Sequence, residues 1–305
     1  MFENIFTVGN YVLILFILIG VGFFSNKAKI LDGSALKGLT NLVLYIATPC
    51  AIVNSYQREF DKNMLHGLLL TVIAAVLSFV VNILLSHLLI KDKDKKREKT
   101  LRFGAVFSNS IYMSLPLQEA MLGKIGVFYG ATYVAVFQIV LWTYGVVLMS
   151  GDIKNISLRK VIVNPGVTST LLGILLYVFS VSIPATIYEP MKYLASLNTP
   201  LPMIIVGYYL AETSFNIRGL SAYVSVIFRL VISPITTLAI LFILGISGDI
   251  AIACVIATSA PVAAVATMFS EKFGGDTILS ATFVSVTTIL SIITMPLIVA
   301  ISAMI

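Results

Sequence analysis

The chain has 305 residues, of which 58% are hydrophobic and only 11% charged, with a formal net charge of +6. A soluble domain carries about 25% charged residues, so a soluble core is excluded, and the mean hydropathy of +1.01 fits a chain whose solvent is mostly lipid. The positive charge lies in short loops beside apolar runs, which reads as membrane topology rather than nucleic-acid binding.

Backbone groups in lipid must pair internally, so a spanning segment is a helix or part of a closed barrel. Long unbroken runs at 11–24, 65–90 and 221–244 are not the short alternating segments of a barrel. Ten helical segments are expected, near 6–25, 36–55, 65–90, 101–120, 126–149, 161–181, 187–211, 219–245, 249–271 and 276–304. Met1 to Asn10 holds no Lys or Arg and no small-residue cleavage site follows, so the first run reads as a retained span rather than a signal peptide. Segments two and seven carry internal Thr-Pro, in Ala47-Thr-Pro-Cys50 and Asn198-Thr-Pro-Leu-Pro202. Segments four and nine carry Pro116 and Pro261. Cys50 and Cys254 fall within apolar segments and read as packing, not as a disulfide framework.

Charge placement orients the segments. With the N-terminus outside, 15 Lys and Arg fall in inside loops, including Lys160, and 4 fall outside (Arg58, Lys62, Lys124 and Lys192). That asymmetry places both termini outside and supports the count, since one missed span would scramble the alternation. The basic run Lys91-Asp-Lys-Asp-Lys-Lys-Arg-Glu-Lys99 reads first as a solvated loop that sets topology, its mixed signs diluting its field. A lipid-headgroup or partner site is the alternative. A short polar loop at 150–160 leaves five segments on each side. An odd number per half inverts the second half relative to the first, so residues 1–150 and 151–305 read as two inverted repeats. The matched interruptions of the second and fourth segments of each half point to a binding site.

Three features carry chemistry. In Phe107-Ser-Asn-Ser-Ile-Tyr-Met-Ser-Leu-Pro-Leu117, Pro116 removes a donor and opposes the carbonyl of Tyr112, so unwinding is expected there, beside Asn109, Ser110 and Ser114. In Ala257-Thr-Ser-Ala-Pro-Val-Ala-Ala-Val-Ala266, small residues allow close helix approach. Two half-helix N-termini facing one cavity would bind an anion without Lys or Arg. Arg229, about ten residues into segment eight, is a functional residue or caps carbonyls freed near Pro234. Glu119 and Glu271, at the ends of segments four and nine, read as loop-exposed, with a coupling-proton role as the alternative. The sequence has no HExxH, CxxC, Walker or GxSxG motif and no mid-span acidic pair, so no enzyme, metal centre or cofactor is expected.

The motifs then show a likeness. Asn109-Ser-Ile-Tyr-Met-Ser-Leu-Pro116 resembles the Asn-Thr-x-x-Met-Gly-Ile-Pro of the auxin efflux carrier family, which contains the plant PIN-FORMED carriers and many bacterial permeases. Gln138 with Trp142, Asn164-Pro165 with Leu172-Gly173, Arg229 with Pro234, Ala260-Pro261 with Phe269-Ser-Glu-Lys-Phe273, and Ile278-Leu-Ser280 follow in the family's order. The resemblance implies an all-α membrane protein of ten helices in two inverted five-helix repeats. It implies that helices four and nine break at their prolines and cross. It further implies scaffold and transport domains each built from both repeats, a homodimer through the scaffold spans, and elevator-like transport of carboxylates across the cell (inner or plasma) membrane. By match, Asn109 contacts the substrate carboxylate, with Ser110, Met113, Pro116, Gln138, Asn164, Gly166, Ser259, Pro261 and Val262 lining the cavity. The plant pattern has Asn at the position of Gly166, a second proline at Ala266 and often a long central loop, so a substrate other than auxin is indicated. The reading is therefore a secondary transporter or uniporter of small organic anions. A sodium-coupled anion symporter resembling bile-acid symporters and a non-transporting metabolite sensor are the alternatives.

Overall fold

A computed structural model of the chain describes residues 2–157, 159, 162–212 and 217–302, with side chains from residue 9 onward. Lys160 and the expected segment limits at 161 and 304 lie outside the described residues. The helices are α1 (Phe2–Lys27), α2 (Gly33–Leu42), α3 (Thr48–Tyr56), α4 (Lys62–Leu89), α5 (Lys95–Val106), α6 (Leu115–Leu122), α7 (Lys124–Val140) and α8 (Val146–Ser150). They continue as α9 (Pro165–Val178), α10 (Ala185–Ser196), α11 (Pro200–Glu212), α12 (Leu220–Ile227), α13 (Ser233–Ile243), α14 (Gly248–Ser259), α15 (Val265–Lys272) and α16 (Thr277–Ser302).

Among the described residues, seven stretches are long and apolar enough to cross a membrane: Gly9–Lys27, Gly33–Tyr56, Lys62–Leu89, Lys124–Ser150, Ala185–Glu212, Leu220–Ile243 and Thr277–Ser302. Of the other expected segments, the sixth is the shorter apolar helix α9, the fourth is split into α5 and α6, and the ninth into α14 and α15. Among the described residues the only strand-like feature is one isolated bridge. Many large apolar side chains point outward, as lipid as solvent allows; Phe24, Phe179 and Ile243 are 70%, 71% and 79% exposed.

The prolines are housed in a recurrent way. Three five-residue π-helical turns, Val43–Ala47, Ser110–Ser114 and Phe228–Ile232, each run directly into an α-helix whose first turn holds Pro49, Pro116 or Pro234. A π turn widens the backbone ring, which relieves the clash between the proline ring and the preceding turn and absorbs its missing donor. Segment two therefore passes through its Thr-Pro without a break. Segment seven behaves differently: residues 197–199 form a turn between α10 and α11. The two Thr-Pro motifs meet, because Thr48 Oγ1 donates to Asn198 Oδ1 at 2.7 Å in a buried contact.

Glycines allow the closest helix contact. A Cβ on Gly22 of α1 would fall on the carbonyl oxygen of Ile204, and one on Gly207 of α11 on that of Ile19. The largest apolar cluster gathers Phe79, Phe103, Phe107, Tyr133, Phe137 and Phe269, which includes residues of both broken segments. Its rings meet in tilted pairs at centroid separations such as 4.6 Å for Phe103–Phe107 and 4.9 Å for Phe103–Phe269.

Candidate substrate site at the paired helix breaks

α14 ends at Ser259 because Ala260 precedes Pro261 and is pushed out of the helical region, to ψ 150°. Here the break lies at the proline, as expected. In segment four it does not. α5 ends at Val106, residues 107–109 are non-helical, and Pro116 sits seven residues further on, in the first turn of α6. The expectation of unwinding at Pro116 is thus corrected: the Ser110–Ser114 π turn accommodates that proline, and other forces open the chain at Phe107.

Two forces are visible. First, the breaks pair with each other. The Asn109 N–H donates to the Pro261 carbonyl at 2.7 Å, the Ala263 N–H donates to the Phe107 carbonyl at 3.0 Å, and Ser108 and Val262 form an antiparallel bridge. These bonds satisfy backbone groups that neither helix can serve. Second, Arg229 caps both preceding half-helices. Its Nη1 donates to the carbonyls of Ala105 (2.9 Å) and Val106 (3.0 Å), at the end of α5. Its Nη2 donates to the carbonyl of Thr258, at the end of α14, and to Ser233 Oγ at 2.9 Å. A helix C-terminus carries about half a negative charge, and two such ends face one guanidinium that is 1% exposed. Of the two roles expected for Arg229, carbonyl capping is the one its bonds describe. The capped carbonyls belong to the two breaks rather than to the turn before Pro234.

Asn109 is 4% exposed, and its side-chain amide makes no hydrogen bond to the described residues. Ser110 Oγ pairs with Ser108 Oγ at 2.7 Å. Ser114 Oγ reaches the Ile256 carbonyl at 3.3 Å and Gln118 Nε2 the Ala253 carbonyl at 2.8 Å, so α6 is tied to α14. Met113 is buried in an apolar cluster with Leu117, Ile256 and Ala260. Ser259 Oγ is spent on the Val255 carbonyl at 2.6 Å, and the Val262 N–H donates to Thr287 Oγ1 at 3.1 Å.

A second group stands on α7 and α9. Asn164 caps α9, its Oδ1 accepting from the Gly166 N–H at 2.9 Å. A Cβ at Gly166 would come within 4.0 Å of Gln138 Cγ and 3.7 Å of Val134 Cγ1. Gln138 is 5% exposed and its Oε1 lacks a partner among the described residues. Val134 shares an apolar cluster with Leu115 and Ile111, which links this group to the segment-four break. Beside α9, Pro165, Ser169 and Leu172 form one wall of an apolar groove of about 550 Å³, opposite Pro49, Cys50 and Val53.

Glu119 and Glu271 separate. Glu119 is partly buried and accepts from Thr199 Oγ1 at 3.3 Å, so it joins α6 to the turn before α11. Glu271 is exposed near the end of α15. Sequence reasoning did not find the Thr48–Asn198 and Glu119–Thr199 contacts; the repeated Thr-Pro was the available signal. Among the described residues no three His, Cys, Asp or Glu side chains gather as a metal site.

Comparison with known proteins gives concordant matches. The family model described as a membrane transport protein matches residues 7–299. An uncharacterized transporter of Methanocaldococcus jannaschii is 27% identical over 300 residues, covering 94% of this chain and 96% of its own length. An uncharacterized transporter of Methanothermobacter thermautotrophicus is 23% identical over 292 residues, covering 94% and 95%.

Proposed function

The chain belongs to the membrane transport protein family that includes the auxin efflux carriers, and from that premise we propose that it is a secondary transporter or uniporter of small organic anions bearing a carboxylate. The observation that carries this reading is the Asn109 side chain, nearly buried and unbonded beside two paired helix breaks. A carboxylate brought against Asn109 would accept from its Nδ2 amide. Both Nη atoms of Arg229 are engaged within the protein, so in this reading the anion is met by amides, hydroxyls and helix N-termini rather than by a fixed cation.

In this reading the chain has ten spans in two inverted five-span halves, 1–150 and 151–305. Segments four and nine cross at their breaks. Asn109 contacts the carboxylate, Ser110, Ser259, Pro261 and Val262 shape the crossing, Met113 and Pro116 back it, and Gln138, Asn164 and Gly166 line the same cavity. Elevator-type motion moves a transport body past a scaffold, through which two copies pair. Both termini lie outside the cell (inner or plasma) membrane. A negative-inside potential favours anion export by about 2.3 kcal/mol per charge per 100 mV. Import would need a coupled cation, for which Glu119 and, less centrally, Glu271 are the carboxylates on the two broken segments.

The test is a thermal-shift screen of the purified protein against mono- and dicarboxylates, followed by flux of each hit in proteoliposomes with and without sodium. Stabilisation by a carboxylate with matching flux supports the reading. Binding without flux sinks the carrier assignment, and strict sodium dependence would turn it into a symporter.

A further inference from the structure

The run 91–99 mixes signs in sequence, and the fold sorts them. The acids are engaged by the protein. Asp92 accepts from Ser221 Oγ and pairs with Arg97 Nε at 3.4 Å. Glu98 is 6% exposed and is held by Lys95 Nζ at 2.7 Å and by Arg102. Asp94, which stays exposed, caps α5 through the Lys96 N–H at 2.8 Å. Three cations also turn inward onto carbonyls: Arg97 to Arg218, Lys99 to Met149 and Phe273, and Arg102 to Ile90 and His87. Lys95 faces outward but is paired with Glu98, so the outward cations of the run left unpaired among the described residues are Lys91, Lys93 and Lys96. All three are exposed, and their ammonium groups make no ion pair or hydrogen bond to the described residues.

Their height is set by α4. That helix presents Leu69, Ile73, Val80, Leu84 and Leu88 outward, with Leu84 at 65% and Leu88 at 64% exposure. From Leu69 to Leu89 the helix rises about 30 Å, the thickness of a bilayer's hydrocarbon core. Lys91 follows two residues after Leu89. The ammonium groups therefore stand in the headgroup layer, where phosphates are.

We propose that Lys91, Lys93 and Lys96 form a binding strip for anionic phospholipid headgroups. The strip is prepared by the fold: the neighbouring acids and three of the neighbouring cations are already used, so the lysines act on the leaflet and not on each other's counter-ions. The proposal is independent of what the protein carries.

The experiment titrates the full-length protein in mild detergent with phosphatidylglycerol, phosphatidylcholine or soluble glycerol phosphate, reading bound lipid by native mass spectrometry and melting temperature in parallel. Phosphatidylglycerol should bind in preference to phosphatidylcholine and raise the melting temperature. K91Q/K93Q/K96Q should weaken that binding more than tenfold, since each lysine at a membrane surface is worth about fivefold, with an unchanged melting temperature in lipid-free detergent. An undiminished preference in the triple variant, or none in the wild type, overturns the proposal; full competition by glycerol phosphate makes the strip a free-anion site and also overturns it. If the triple variant is not recovered, K93Q and a salt titration of the wild type decide, because a preference unaltered by 0.5 M salt is not electrostatic.

Discussion

Arg229 and Asn109 stand close in the fold and do opposite things. Arg229 is a buried cation whose donors meet the carbonyl ends of two half-helices. Replacing it by Met leaves those acceptors unpaired, at about 1–3 kcal/mol each, so R229M should lower the melting temperature steeply or abolish a monodisperse protein. R229K keeps the charge but not the planar fork, and should fall between the two; a wild-type melting temperature for R229M would remove the capping role. Asn109 bonds only through its backbone, so N109A should cost the fold little. It should weaken binding of the best anion from the screen about tenfold, or about 1.4 kcal/mol, measured by titration; unchanged affinity would place the substrate elsewhere. The motif around Asn109 was readable in sequence. Capping by Arg229 was readable too, but not which carbonyls it caps, since its Nη1 acceptor Ala105 lies 124 residues away.

Elements show where local rules hold and where they fail. Pro261 opens its helix, as the restriction on the residue before proline demands. Pro116 does not, because a π turn precedes it, and the same device carries Pro49 and Pro234 through their helices. A proline in an apolar run therefore marks a special turn without locating the break. The hairpin between α4 and α5 is held by charges outside the membrane, and these give a pH dependence. The Ser221 hydroxyl, with help from Arg97, holds the Asp92 carboxyl below the ordinary range. Burial pushes Glu98 up, but Lys95 and Arg102 outweigh it and its value is also lowered. A carboxyl lowered on folding stabilises the fold above its unfolded pKa, near 4, and that stability is lost as pH falls through the folded value. Melting temperature should thus hold as pH falls from 7 to about 5 and drop below about 4. D92N should start lower at pH 7 and show a shallower acid limb; an identical limb would clear Asp92 of this role.

For the whole molecule, the charge asymmetry of 15 inside to 4 outside makes a direct prediction. A C-terminal alkaline phosphatase fusion should be active and a C-terminal green fluorescent protein fusion dark; the reverse pattern would invert the topology. The multi-pass helical class and the family were legible from composition, run lengths and the order of short motifs, because hydrophobic length and loop charge are properties of contiguous chain. Segments four, seven and nine came out divided and segment six short, since their ends depend on partners remote in sequence. The same holds for the opening at Phe107, the bridge from Ser108 to Val262, the joining of Thr48 to Asn198 and the contacts that draw Asp92 to Ser221, Arg97 to Arg218 and Lys99 to Met149 and Phe273. Hydrophobicity tells each segment that it lies in a membrane; which carbonyl a guanidinium caps, and which lysine is left for the lipid, follows from long-range hydrogen bonds that exist only once the helices have packed.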